Sequence, residues 1–185
     1  MKPELERKLF NDYPELYIDN IRPPSESLMC FGITCGDGWY NIVDSLSKCI
    51  SHHVENEIRR EIFLRQRLKF SNIFLGWSWG WHSWRWYKDI WRNIKEYIRL
   101  RNPLDIDSMQ VRAIQVKEKF GGLRFYILRA DDEIFGMIQM AEEMSYVTCE
   151  ECSKPGFLHH RGTWLKTLCT VHAKKSDYKK CMKGE

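Results

Sequence analysis

Apolar positions recur along this chain with a helical period in several places and alternate in one. From Trp39 onward, Ile42, Val43, Leu46, Ile50, Val54, Ile58 and Ile62 return at steps of three and four with acids and bases between them, which predicts a long amphipathic helix. Asp37, between Gly36 and Gly38, is placed to cap it. A second stripe of Ile134, Met137, Ile138, Ala141 and Met144 follows Asp131-Asp132-Glu133, an acidic first turn that suits the positive end of a helix. Residues 3–12, opened by Pro3 and carrying Leu5, Leu9 and Phe10 on one face, predict a shorter helix. Pro14 and Pro23-Pro24 then enforce irregular backbone up to Cys35.

Residues 110–129 alternate instead. Ile114 and Val116 share one face with Gln115 and Lys117 on the other, and after Phe120-Gly121-Gly122 the residues Leu123, Phe125 and Ile127 alternate with Arg124 and Tyr126. The pattern predicts a hairpin with Val116 opposite Leu123 or Phe125. Either register gathers Gln115, Lys117, Arg124 and Tyr126 on one face.

The segment from 70 to 103 has a character of its own. Trp77, Trp79 and Trp81 alternate, then Trp84, Tyr87, Trp91, Ile94 and Ile98 take helical steps until Arg101-Asn102-Pro103 stops them. Six of the eight Trp fall between positions 77 and 91, too many for one buried stripe. Exposed Trp is enriched at interface hot spots, so homo-oligomerisation or a partner protein is its most economical use.

Composition narrows the class without naming a function. With 29 Lys and Arg against 25 Asp and Glu, the net charge of +4 is too slight to imply nucleic acid unless it is clustered. No run of apolar residues is long enough for a membrane span and the first residues carry no apolar leader, so a cytoplasmic protein is expected. In a reducing compartment seven Cys do not form a disulfide framework.

Metal is the better use of the regularly spaced ones. Cys149-x2-Cys152 is followed after sixteen residues by Cys169-x2-His172, the spacing of a zinc ribbon with one Cys replaced by His. Thiolates and imidazole favour zinc over calcium or magnesium, and four protein ligands leave no position open for water, so a structural site is expected. His159 and His160 are expected at the surface of the ribbon hairpin. Cys181 is expected to be solvated in a tail with Lys174, Lys175, Lys179, Lys180 and Lys183.

The hairpin carries the second candidate site. Lys117, Lys119 and Arg124 gather around Gly121-Gly122 with Tyr126 and Gln115 nearby, and glycine amides, an ammonium and a guanidinium fork suit a phosphate. The same residues are also those of a solvated sheet face, and Glu118 dilutes their charge. Aromatic residues among Lys and Arg also fit single-stranded nucleic acid. No nucleophile with its base is recognisable; an enzyme would have to rest on Asp37, His52, His53 or Glu57, and no HExxH pattern is present.

At CGDGWYNIVDSLSKCI, KEKFGGLRFYI and the following C-x2-C and C-x2-H pairs, the chain resembles a family of small bacteriophage and prophage proteins. The resemblance covers the long helix, the hairpin and the knuckles, and leaves 70–103 as an insertion. It implies an accessory phage protein acting in the cytoplasm of the bacterial host.

Together these readings predict an α+β fold: an α+β domain over 1–147 with its Trp-rich insertion, a zinc knuckle over 148–174 and a basic tail over 175–185. The expected function is a binding protein that counteracts host defence, by sequestering a phosphate-bearing nucleotide signal or by masking a host protein. A zinc-ribbon nucleic-acid binder and an enzyme of unnamed substrate are the alternatives.

Overall fold

The computed structural model describes residues 1–70, Arg99 and 103–181. The six Trp of the 77–91 stretch lie outside the described residues, and so do the helix and the oligomer contact expected of them. The fold is α+β, as the sequence predicts, and the chain divides into two units: Met1–Val54 with Gln110–Glu185, and Glu55–Met109. The knuckle, expected as a segment of its own from residue 148, belongs to the first of these.

In chain order the elements are helix α1 (Pro3–Asp12), strand β1 (Ile33–Thr34), helix α2 (Tyr40–Phe70), a single helical turn α3 (Ile106–Met109), strands β2 (Arg112–Lys119) and β3 (Gly122–Leu128), and helix α4 (Asp132–Ser145). Strands β4 (Phe157–Arg161) and β5 (Trp164–Leu168), helix α5 (Thr170–Lys175) and strand β6 (Lys179–Lys180) follow. They build two sheets, ordered β1-β2-β3 and β5-β4-β6. β1 runs parallel to β2, and the remaining pairs are antiparallel.

The hairpin register is Val116 opposite Phe125, with Lys117 opposite Arg124 and Gln115 opposite Tyr126. A shift between Ala113 and Gln115 interrupts it. The bulge turns the strand by one residue, so Ala113 and Val116 are buried where alternation predicts Ile114 and Val116. β3 is an edge strand, and α4 covers its free amides: Leu123 N–H donates to Ser145 Oγ at 2.8 Å and Phe125 N–H to Glu142 Oε1 at 3.2 Å. That contact explains why the buried stripe of α4 runs Ile134, Ile138, Ala141, Ser145, with Met144 left exposed.

On α2 the apolar stripe is buried from Ile42 to Val54. Beyond it the expected Ile62 is exposed and Glu61 is buried instead. Its carboxylate takes Arg65 at 3.0 Å and Arg99 at 3.1 Å, the pairing a buried charge requires. In the larger unit Tyr17 knits the core. Its ring meets Phe125 edge-on at 6.5 Å, and its hydroxyl lies 2.7 Å from Ser47 Oγ of α2.

Asp131 caps α4, accepting Ile134 N–H at 2.9 Å, and His53 of α2 sits 2.7 Å from the same carboxylate and 3.3 Å from Glu133. Burial works to raise the Asp131 pKa, but the Ile134 amide and His53 outweigh it and hold it below its ordinary 3.8. A depressed acid contributes stability above its unfolded pKa and loses it as pH falls through the folded one. Asp131→Ala is therefore expected to cost about 1 kcal/mol near neutral pH, the worth of an N-cap. In denaturant titrations the gap from the parent protein narrows below about pH 4.

Candidate metal centre and the surfaces around it

Two tight turns bring the expected ligands together. In the first, Cys149 N–H donates to Lys154 O at 2.8 Å and Ser153 N–H to Cys149 O at 3.1 Å, with Ser153 in the left-handed region at φ 61°. In the second, Cys169 occupies the N-cap position of α5, and Ala173 N–H donates to its carbonyl at 2.9 Å. The result is a cluster of Cys149 Sγ, Cys152 Sγ, Cys169 Sγ and His172 Nδ1 whose ligand atoms all lie within 4.8 Å of one another.

Cys152 and Cys169 sulfurs are 3.8 Å apart, and His172 Nδ1 is 3.6 Å from Cys149 Sγ and 3.3 Å from Cys169 Sγ. A tetrahedral ion with metal–sulfur bonds of about 2.3 Å and a metal–nitrogen bond of about 2.0–2.1 Å would separate its ligands by about 3.6–3.8 Å. Two of the three separations match and the third is shorter, so the four side chains lie close enough together to hold one ion. The His172 backbone N–H is the main cause that draws the Cys169 thiol down to about 6, while burial pushes the Cys149 thiol up. Coordination to a cation would deprotonate such a thiol outright.

The knuckle is held against the start of α2 at backbone distance. Gly38 N–H donates to Glu150 O at 2.7 Å, Ser153 Oγ donates to Gly38 O at 2.7 Å, and Trp39 Nε1 donates to Thr148 O at 2.8 Å. A Cβ on Gly38 would stand 2.2 Å from Cys149 O, and one on Gly36 2.3 Å from Glu150 O. The two glycines admit the knuckle; they do not loosen a helix start. Asp37 does not cap α2 either, because its carboxylate accepts Lys2 N–H at 2.7 Å and pairs with Lys2 Nζ at 3.2 Å.

Glu150, inside the knuckle, is the residue the sequence pattern missed. Its carboxylate accepts Gly36 N–H at 3.0 Å and meets Lys166 at 3.2 Å, while its own N–H donates to Thr167 O at 2.9 Å. Burial raises its pKa against the opposing pull of Lys166. Thr167 in turn donates to Gly121 O at 2.6 Å. The Gly121-Gly122 turn thus lies under the metal module: added Cβ atoms would stand 2.4 Å from Leu158 Cδ1 and 2.4 Å from Tyr146 Cζ.

No family model matches the chain, and no curated protein or solved structure matches it. The chemistry of the site rests on its own geometry.

The hairpin residues expected to bind a ligand are brought to one face by the Gln115–Tyr126 and Lys117–Arg124 pairs. Tyr126 and Lys119 are exposed, and Gln115 and Lys117 are half-buried. The Lys117 ammonium lies 5.3 Å from the Tyr126 ring centre, and that of Lys119 5.2 Å from the Phe120 ring. Arg124 is engaged within the protein, donating to Leu123 O and Tyr146 OH at 2.7 Å and facing Glu142 at 3.4 Å. Gly121 N–H donates to Glu118 Oε1 at 2.6 Å, so a carboxylate already stands where the turn was expected to hold an anion.

Other expected groups are placed differently. His53 turns to Asp131 while Glu57 pairs with Arg60 at 3.4 Å. His159 is buried, not at the surface, with Nδ1 donating to Phe157 O at 2.6 Å. The tail expected to be solvated adds β6 to the sheet, and Cys181 is half-buried with its N–H donating to Leu158 O at 3.1 Å.

Gly38→Ala is expected to lower thermal stability and metal content together, by roughly 2–4 kcal/mol, since the colliding atom is backbone. Gly136, in α4 with open space around its Cα, is the control. Gly136→Ala is expected to raise stability by about 0.5–1 kcal/mol through helix propensity alone.

Proposed function

We propose that this chain is a zinc-stapled binding protein for phosphate-bearing, nucleotide-type ligands, and that its metal is structural. The observation that carries the metal half is the set of three sulfurs and one imidazole nitrogen within 4.8 Å of one another. Soft donors select zinc, and a fourth protein ligand in place of water gives the ion no position for substrate.

The ligand half is supported by the polar hairpin face. Lys117, Lys119, Gln115 and Tyr126 offer two cations, an amide and a phenol beside one another, with Arg124 on the same face held by Tyr146. Such a face takes a phosphate by charge and a base by ring contact. Capture without turnover would serve a phage protein by withdrawing a nucleotide signal from the host. Masking of a host protein through the Trp-rich segment is the other form of counter-defence; both rest on the phage resemblance.

Native mass spectrometry of the protein purified from cells is expected to show one zinc per chain, lost together with cooperative unfolding in Cys152→Ser. Iron in its place would overturn the assignment. Calorimetric titration with linear and cyclic nucleotides is expected to show binding that Lys117→Glu removes. Silence with every nucleotide would sink the capture reading and leave the metal assignment standing.

A further inference from the structure

The charge that looked negligible over the whole chain is concentrated in the strands, helix and tail that follow the first pair of metal ligands. Residues 157–181 hold Arg161, Lys166, Lys174, Lys175, Lys179 and Lys180 against the one acid Asp177. The remainder of the chain, by difference from 29 basic and 25 acidic residues, is slightly acidic. Lys166 pairs with Glu150 and Glu151, and among the described residues the other five cations take no acid partner. Three thiolates around a divalent cation would give the centre one negative charge, which still leaves the segment positive.

Aromatic rings are set among these cations. Alternation puts Phe157, His159 and Arg161 on one side of β4, with Trp164 opposite Arg161 and Lys180 opposite His159; His159 is buried in the middle, so the exposed groups are Phe157 at one end of the strand and Arg161 with Trp164 at the other. Lys180 Nζ lies 4.0 Å from the Phe157 ring centre, and the Arg161 guanidinium lies 4.9 Å from that of Tyr178. Phe157 is 49% exposed and Trp164 71%. A strand rise of about 3.3 Å per residue sets the Phe157 and Arg161–Trp164 ends about 13 Å apart, a span of a few nucleotides.

We propose that this face of the metal module, built from Phe157, Arg161, Trp164 and Lys180, binds single-stranded nucleic acid. It rests on the nucleotide-type ligand reading above and names a second place and a polymeric form for that ligand. Charge favours a polyanion, and exposed rings favour bases that are free to stack, which a duplex withholds. A protein partner fits less well, because interface centres are depleted of charge and here the Phe157 and Tyr178 rings each lie beside a cation.

The test is fluorescence anisotropy of the zinc-loaded full chain with a labelled oligothymidylate of about twelve nucleotides. Binding is expected to weaken with salt, with a log–log slope of about −2 for about three phosphate contacts. Trp164→Ala and Phe157→Ala are each expected to weaken it about tenfold with zinc content retained. Lys180→Glu is expected to weaken it and flatten the slope, whereas the same charge reversal at exposed Lys48 of α2 leaves it unchanged. Equal affinity for a duplex of the same length overturns the proposal, and so does indifference to both ring substitutions. Nucleotide binding without strand binding overturns it while leaving the hairpin reading intact; absence of both removes the two together.

Discussion

Four side chains, spread over twenty-three positions, have to meet within 4.8 Å. The module they close has almost nothing else inside it. Its buried cluster is Cys149, Leu168, Cys169 and Ala173, with Cys152 and Tyr178 packed against it, so half of its apolar interior is the ligand set itself. A segment this small cannot order its backbone by apolar burial alone, and ligation supplies what burial does not. The start of α2 depends on that order through Gly36, Gly38 and Trp39, and the hairpin turn depends on it through Thr167 and Leu158. The metal module is therefore the block against which the two glycine motifs are fitted.

Local periodicity carried much of the fold. α1, the first half of α2, the hairpin and α4 all follow from three- and four-residue steps or from alternation, because those patterns report a face and a face is decided locally. The failures share a cause. The bulge before Gln115 has no residue signature of its own, and it alone moved burial from Ile114 to Ala113. Glu61 is buried because Arg65 and Arg99 neutralise it, and Arg99 lies thirty-eight positions away, beyond the reach of any helical pattern. Ser145 replaces Met144 in the buried stripe to satisfy an amide on a different element.

The site was legible in part for the same reason. Cys-x2-Cys and Cys-x2-His spacing is a local constraint of ligand geometry, and it located all four ligands. The glycines were visible as special but not for the right cause. A glycine beside cations reads equally as an anion cradle or as a place where another piece of backbone comes close. At Gly121 the second holds: Glu118 occupies the amide, and Leu158 occupies the space a Cβ would need. Glu118 lies within the KEKFGGLRFY stretch, but Leu158, which fills the space, is more than thirty residues away, so inspection of that stretch by itself does not separate the two.

The pairing of β1 with β2 has a consequence for how the protein comes to be folded. Thr34 bonds to Val116 across eighty-two positions, and Gly36 meets Glu150 across one hundred and fourteen. During synthesis the start of α2 leaves the ribosome long before the strand and the knuckle that cover it, so Trp39 and its neighbours wait uncovered while more than a hundred residues are added. Contacts of such span make for slow assembly, since loops must close before any of them stabilises the chain. Yet closure entropy grows only with the logarithm of loop length, about 0.6 kcal/mol per doubling. The length of chain between Val54 and Gln110, the two parts of the larger unit, therefore enters that closure term only weakly.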